Sequence, residues 1–277
     1  MDVRRALNLA IDKDQLVKKV TRSGQIPATH FVPDYTGSGY SDVATADKKA
    51  GTDPFSGPEV EFNPVRARQL LERAGYKVER EGEGYKAKDF PSLEILYNTN
   101  EGNRAIAVAV QSYWREHLGI SAAVRNEEWK VMLKNIQDGN FQVGRGGWIA
   151  EYNHPQTWLD TFLSYSPQNR TGWADPAYDR MLKEAAQTAD PMKGMTLFRE
   201  AEKRAVDEMS KIPLYFYTRS VLVKPWVKGF WPNPRNVHLA QWLWIDETSQ
   251  APNEPAAPPR EFPPPGAYRS ATPGASP

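Results

Sequence analysis

Apolar and polar positions alternate with two different periods through the middle of the chain. Residues 92–97 alternate as a half-buried β-strand does, and residues 121–125 and 141–149 are predicted to be two further strands. Residues 103–118 and 127–137 instead carry apolar side chains at helical spacing. The resulting order of strand, helix, strand, helix and strand predicts an α/β layered domain whose strands pair in parallel.

Short polar signals predict further helices on both sides of this region. Asn63-Pro64, Asp175-Pro176 and Asp190-Pro191 each place a helix-capping residue before proline, which is favoured at the first helical position. Helices are therefore predicted over 65–74 and after each Asp-Pro pair, and an apolar face predicts one more over 3–11. The charged segment 77–89 is predicted to form a turn or a short hairpin.

Two parts of the chain lack helical periodicity. Residues 24–58 are rich in Gly, Pro, Ser, Thr and Asp, and they are predicted to form a loop that is docked by its aromatic side chains. Beyond residue 212, strands are predicted over 214–217, 221–223 and 238–245. Nine of the 23 prolines lie between residues 247 and 277, so this tail is predicted to be disordered or extended.

Composition narrows the classes of function. The chain has 277 residues, a formal net charge of +1 and no cysteine. A charge this close to zero gives no general attraction for nucleic acid or for an anionic membrane. The absence of thiols excludes disulfides, thiolate metal sites and cysteine nucleophiles. No apolar run approaches the roughly 18 residues of a membrane span, and the first residues do not read as a signal peptide.

Motifs for enzymatic chemistry are sparse. The four histidines are scattered, without the helix-spaced pair that binds zinc. The chain has no Gly-x-Ser-x-Gly sequence and no phosphate-binding loop. Glu127-Glu128 and Asp207-Glu208 could be read as the paired carboxylates of a glycosidase, but neighbours on a helix point apart and make poor acid/base partners. We therefore predict that the protein is not an enzyme and expect no metal or cofactor.

The segment 145–153, Arg-Gly-Gly-Trp-Ile-Ala-Glu-Tyr-Asn, carries the chemistry most suited to a ligand. It follows the third predicted strand, and ligands of α/β sheets bind at the carboxyl ends of strands. Gly146 and Gly147 let another backbone come close. Glu151 could neutralise the ammonium of a peptide, and Arg145 its carboxylate, each by a charge-assisted hydrogen bond. The same pattern also fits a plain salt bridge beside a turn, with Trp148 in the core, and on its own it favours that simpler interpretation.

Several blocks of sequence occur in the order that one known family shows. They are 3–12, 24–27, 32–33, 70–76, 126–129, 147–155, 212–215 and 223–227. Among them are Asn-Glu-Glu-Trp at 126–129 and Gly-Trp-Ile-Ala-Glu-Tyr-Asn at 147–153. Over about residues 3–245 the chain resembles the family 5 extracellular solute-binding proteins, which are the oligopeptide- and dipeptide-binding receptors of ABC importers.

The resemblance implies a fold and a setting. Residues 1–212 are expected to form one α/β lobe of a type II periplasmic-binding-protein-like fold, and 213–246 to be closing strands that belong to the other lobe. The Pro-rich tail, 247–277, is not part of the family pattern. The expected function is the capture of extended peptides for uptake by a monomeric, periplasmic or extracellular receptor. Its expected partners are the peptide and the permease subunits of the importer, with no nucleic acid.

The resemblance also implies roles for site residues. The position of Arg145 matches an arginine that serves the carboxylate of short peptides. Glu151 takes the place of an aspartate that meets the amino terminus, and its extra methylene would shift the ammonium. Trp129 and Trp148 match aromatic residues that line side-chain pockets, although Trp129 could equally be a packed core residue. Gly146, Gly147 and Asn153 complete the predicted ligand-binding set.

Length is the main departure from the family. The blocks correspond only to the C-terminal half of such a receptor, so the sequence is interpreted as a fragment. A non-functional truncated remnant is one alternative. A carbohydrate receptor of the same fold is another, because nine tryptophans offer stacking surfaces for sugars. A sugar site would need exposed tryptophan faces with neutral polar partners, whereas a peptide site needs Arg145 and Glu151 in the cleft.

Overall fold

Short strands and amphipathic helices alternate in the computed structural model, which describes residues 1–37, 39–231, 233, 237–246 and 248. The helices are α1 (Asp2–Leu9), α2 (Lys13–Gln15), α3 (Tyr40–Ala50), α4 (Pro64–Arg73), α5 (Glu101–Leu118), α6 (Trp129–Gln137), α7 (Gln156–Leu159), α8 (Pro176–Gln187) and α9 (Pro191–Glu208). The strands are β1 (Ile26–Pro27), β2 (Val78–Glu81), β3 (Gly84–Ala87), β4 (Leu93–Asn98), β5 (Ala122–Glu127), β6 (Val143–Gly144), β7 (Tyr215–Phe216), β8 (Val227–Lys228) and β9 (Trp244–Ile245). Within the part of the chain just delimited, no helix has the length and apolar character that crossing a membrane requires.

The predicted parallel α/β unit is confirmed. Its sheet has the order β5-β4-β6, and both pairings are parallel. Central β4 is buried over Ile95, Leu96 and Tyr97, as expected for a strand with both faces covered. The third strand is much shorter than the predicted 141–149, because pairing stops at Gly144 and only the amide of Arg145 still donates to the Leu96 carbonyl, at 2.7 Å.

Two apolar cores flank this sheet. The larger one joins α1, α4 and α5 to β4, and the buried Trp114 indole fixes α5 to α1 by donating to the Leu7 carbonyl at 2.9 Å. The smaller one packs α6 on Leu96 of β4. A separate core joins α7, α8 and α9 around Phe162 and Tyr178.

The prediction of a loop over 24–58 is wrong. Ile26–Pro27 pairs antiparallel with Tyr215–Phe216, and α3 occupies eleven residues of the segment. Helix α3 presents only Tyr40 and Ala44 to the interior, so its apolar periodicity is weak. Polar groups of α9 hold the segment instead: the Glu202 carboxylate accepts from the amides of residues 31 and 32 at 2.7 and 2.6 Å, and from the Tyr40 hydroxyl. The predicted hairpin within 77–89 is confirmed as β2 and β3.

The predictions for the end of the chain are partly wrong. Residues 221–223 form no strand, and Leu222 is fully exposed. The predicted strand 238–245 is a 3₁₀ turn (Ala240–Trp242) followed by β9, which pairs antiparallel with β8. Side chains here lack the second layer that burial of a strand needs, and Trp242 and Trp244 lie largely in solvent. Of the predicted tail, 247 and 249–277 lie outside the described residues.

Candidate functional site

The carboxyl ends of three parallel strands meet at one edge of the sheet. The chain leaves this edge after β6 as an irregular segment that runs from Arg145 to the start of α7. A pocket of about 140 Å³ opens there. Its lining comes from α6, the irregular segment, the turn before α8 and the chain after β7: Trp129, Leu133, Ile136, Arg145, Gly146, Gly147, Ile149, Arg170 and Tyr217. Parallel sheets offer ligand sites at this edge, so the pocket is the candidate site.

Arg145 is fixed at both ends without losing its charge. Its amide continues the sheet by one hydrogen bond, and its guanidinium donates to the Tyr217 hydroxyl at 2.8 Å and to that of Tyr215 at 3.5 Å. Burial and the neighbouring Tyr217 raise the pKa of the Tyr215 hydroxyl, while Arg145 opposes them, so Tyr215 stays a neutral partner. Within 1–37 and 39–231, no carboxylate forms an ion pair with Arg145. The plain salt bridge to Glu151 is therefore not formed.

The two glycines after Arg145 have different surroundings. A Cβ on Gly146 would meet nothing within 4 Å, so the backbone there is open to an approaching group. A Cβ on Gly147 would lie 2.4 Å from the Tyr217 hydroxyl oxygen. The close approach that Gly147 permits is therefore used by the protein's own tyrosine, and only Gly146 offers the free backbone that the sequence predicted for both.

Trp129 forms part of the apolar wall of the pocket. It is the first residue of α6, where the Glu128 side chain caps the helix, and it shares one face with Leu133 and Ile136 at helical spacing. Its side chain is 48% exposed, so its interpretation as a packed core residue is wrong. The exposed indole can cover an apolar or aromatic group that enters the pocket.

Three predicted site residues lie outside the pocket lining. Glu151 is exposed, its amide donates to the Thr157 hydroxyl at 3.1 Å, and its carboxylate has no partner within the described ranges. Asn153 accepts from the amide of Gly37 at 2.9 Å and so ties down the turn before α3. Trp148 is half-buried, and its indole nitrogen is buried without a hydrogen-bond acceptor in the described structure. The structure thus gathers Trp129, Arg145 and the glycine pair, and leaves these three aside.

Two pocket residues escaped the sequence prediction. Tyr217 belongs to a stretch that reads only as a strand, and nothing in its spacing points to Arg145, 72 positions away. Arg170 lies in a turn that the Asn169 side chain closes by donating to three backbone carbonyls, including that of Trp173 at 2.7 Å. An asparagine that organises a turn is a usable sequence signal, but it does not reveal which cleft the next residue faces.

The sequence matches one family model. The family is described as bacterial extracellular solute-binding proteins, family 5 Middle, and the match covers residues 1–170. The periplasmic oligopeptide-binding protein OppA of Salmonella typhimurium is 33% identical over 228 residues, which is 82% of this chain and 39% of that protein. The periplasmic murein peptide-binding protein MppA of Escherichia coli is 34% identical over 246 residues, or 88% of this chain and 42% of that protein.

Solved structures have the same fold. The complex of Haemophilus influenzae OppA with the peptide RPPGFSPFR superposes with a TM-score of 0.69 at 30% sequence identity. The superposition covers 88% of this chain and 45% of that one. The chain therefore spans about two fifths of the length of the curated relatives it matches.

Proposed function

The chain belongs to the bacterial extracellular solute-binding proteins of family 5, and on that premise we propose that it forms the peptide-binding lobe of an ABC importer receptor. The observation that carries the proposal is the pocket at the carboxyl edge of the parallel sheet, where Arg145 keeps an unneutralised guanidinium beside the open backbone of Gly146. The relatives that match it bear the names of peptide-binding proteins rather than enzymes, which supports a function in binding without catalysis.

The pocket suits one part of an extended peptide. The hydrogen bond to Tyr217 already fixes the Arg145 guanidinium. Arg145 can therefore donate to a ligand carboxylate with little further loss of side-chain freedom. The backbone at Gly146 can pair with a peptide backbone, a contact that reads no side chain. Trp129 and Leu133 can cover an apolar ligand side chain. Because separate residues contact the carboxylate, the backbone and the side chain, the pocket would select for peptides while tolerating many sequences.

Glu151 is the proposed partner of the peptide's ammonium. Its carboxylate is exposed and has no partner within the described ranges, so a ligand cation need not displace an existing ion pair. Trp148, whose buried indole nitrogen has no acceptor there, is proposed to line a neighbouring side-chain pocket. The contact of Asn153 with Gly37 supports a positioning role for that residue, at the start of the same segment.

Completion of the cleft is part of the proposal. We propose that residues 1–212 form the peptide-binding lobe and that 213–246 contribute closing strands to a second lobe, which corresponds to the unmatched part of the relatives. The exposure of Leu222, Trp242 and Trp244 supports a covering layer over this region. The receptor is placed in the periplasm or the extracellular space, as a monomer that delivers peptide to permease subunits. Closure between the lobes would desolvate the ligand, so the single lobe should bind weakly.

Calorimetric titration of this chain with short peptides tests the proposal. Arg145→Gln should weaken a tripeptide with a free carboxylate about tenfold or more, since a charge-assisted hydrogen bond is lost. The same variant should leave the tripeptide amide unaffected. Arg180→Gln, at an exposed helical arginine, is the matched control and should bind like the parent. Equal affinities of Arg145→Gln and parent for the free tripeptide would remove Arg145 from the site.

A second titration tests the ammonium contact. Glu151→Gln should weaken peptides with a free amino terminus more than their N-acetylated forms, because only the former carry the cation. Equal losses for both forms would refute that role. The sugar alternative is disfavoured by the pocket itself, since Trp129 shares it with two arginines, and the hydroxyl of its neutral polar residue, Tyr217, is already bonded to Arg145.

A further inference from the structure

Two arginines line the pocket, and neither is neutralised by an acid of the described chain. Arg145 donates only to tyrosine hydroxyls. Arg170 donates to the Gln168 side-chain oxygen at 3.1 Å, while its Nε is buried without a hydrogen-bond partner. The described chain supplies no carboxylate to Arg170, so the guanidinium donors that face the pocket can pair with an anion that enters it.

Two other arginines, Arg199 and Arg125, are paired with carboxylates. The guanidinium of Arg199 is surrounded by Asp34, Asp47 and Asp53, with N–O distances of 3.5, 2.5 and 2.7 Å. Arg125, on the sheet beside the pocket, pairs with Glu94 at 2.8 Å and with Glu127. Carboxylates thus hold these two arginines, and the pocket arginines lack such partners.

A second cationic side chain, Lys211, lies close enough to Arg170 to be affected by its charge. Lys211 donates to the carbonyl and the hydroxyl of Thr161 at 2.9 and 2.8 Å, and its ammonium lies over the Phe162 ring. Burial, and then the charge of Arg170, lowers the pKa of Lys211 to about 7. Arg170 thus already acts on a neighbouring cation, and an anion in the pocket would relieve that repulsion.

The pocket is the size of one side chain. Its volume is about 140 Å³. Leu133, Ile136 and Ile149 give it apolar walls, and Arg145 and Arg170 add two cationic side chains to the same lining. A short apolar stem that ends in a carboxylate matches this combination, because the stem meets carbon and the carboxylate meets donors.

We propose that Arg170 is a specificity-determining residue that selects short peptides with an acidic side chain at or next to the carboxyl terminus. This inference rests on the proposed function, in which Arg145 takes the terminal carboxylate. Two carboxylates of the ligand then meet two arginines, one each. Peptides with a neutral residue at that position offer Arg170 no carboxylate and bind more weakly.

Four matched tripeptides separate the two possible sources of carboxylate. They are Ala-Ala-Glu, Ala-Ala-Gln and the C-terminal amide of each, titrated calorimetrically into this chain. The expected result is at least a tenfold preference for Glu over Gln, in the free acids and in the amides alike. Arg170→Gln should reduce this preference to within twofold and keep the preference for free acid over amide. Arg145→Gln should instead reduce the preference for free acid over amide and keep the preference for Glu over Gln. Arg170→Lys should restore part of the preference for Glu that Arg170→Gln loses.

Each other outcome overturns a named part of the inference. Equal binding of Glu and Gln peptides, with free acid still above amide, refutes the acidic preference and leaves the proposed function intact. An Arg170→Gln variant that loses the preference for free acid instead assigns Arg170 to the terminal carboxylate and refutes the division of roles. Absence of binding for all four peptides overturns the proposed function of this chain and the inference with it. The NMR signal of the Arg170 Nε–H group reads the contact directly: it should shift with Ala-Ala-Glu and stay in place with Ala-Ala-Gln.

Discussion

Lys13 offers a quantitative test of the physical reasoning. It is only 5% exposed, and its ammonium donates to the Ala28 carbonyl at 2.9 Å. Within the described ranges no carboxylate pairs with it. Burial lowers the pKa of Lys13 from 10.5 to about 7, because the charged form loses its hydration and gains one neutral acceptor.

The magnitude follows from that shift in pKa. The fall from 10.5 to about 7 corresponds to about 5 kcal/mol of folded-state penalty on the charged form, at about 1.4 kcal/mol per unit. Between these two pH values the unfolded chain binds a proton that the folded chain lacks. The free energy of unfolding must therefore rise with pH in this window, by up to about 1.4 kcal/mol per pH unit from this group. Below pH 7 both states are protonated and the full penalty applies.

The perturbation is Lys13→Met, measured by urea denaturation between about pH 7.5 and 9.5. The rise in the free energy of unfolding with pH should be smaller in the variant than in the parent by about 1 kcal/mol per pH unit. Lys211 and all other titrating groups are common to both proteins and cancel in the difference. Lys18→Met is the control, because Lys18 is exposed beside Asp14, and its curve should run parallel to the parent. Parallel curves for Lys13→Met would refute the burial argument.

Four further variants test the packing and the exposed surface. Gly119→Ala should destabilise the fold by more than about 3 kcal/mol, because Gly119 has a φ of +67° and its Cβ would lie 2.1 Å from the Tyr85 carbonyl oxygen. Gly139→Ala, with a φ of +75° and nothing within 4 Å, should cost only about 1–2 kcal/mol in the same thermal unfolding assay. Trp114→Phe should cost about 2 kcal/mol, since it leaves a buried carbonyl unpaired and a small void. Leu222→Ser should change stability by less than about 0.5 kcal/mol, because this leucine is fully exposed.

The parallel sheet was predictable because its signals are local. Helix α5 repeats apolar residues over five turns and ends at Gly119, and β4 carries an unbroken buried run beside it. Helix α3 was not predictable, because its anchors are side chains of α9 more than 140 positions away, such as Arg199 with Asp47 and Asp53. The periodicity of apolar residues indicates which helices and strands bury an apolar face. It does not reveal a segment that ion pairs and hydrogen bonds hold in place.

The same limit applies to the candidate site. Arg145, Gly146 and Trp129 could be singled out because they lie in short segments next to predicted strand ends. Tyr217 and Arg170 reach the pocket through the fold alone, and neither lies in a recognisable motif. The contact of Tyr217 with Gly147 also joins segments far apart in the chain, and no local pattern predicts it.

Two features of the described residues call for partners of different chemistry. In the pocket, the guanidinium groups of Arg145 and Arg170 have no carboxylate partner, and these call for an anion. At Leu222 and Trp244, exposed apolar surface calls for a packed protein layer. One partner cannot meet both needs, because an anion gains nothing from apolar area and a packed layer cannot neutralise charge. A small acidic ligand and a second polypeptide lobe meet them separately. Leu222→Ser should accordingly leave peptide selectivity unchanged.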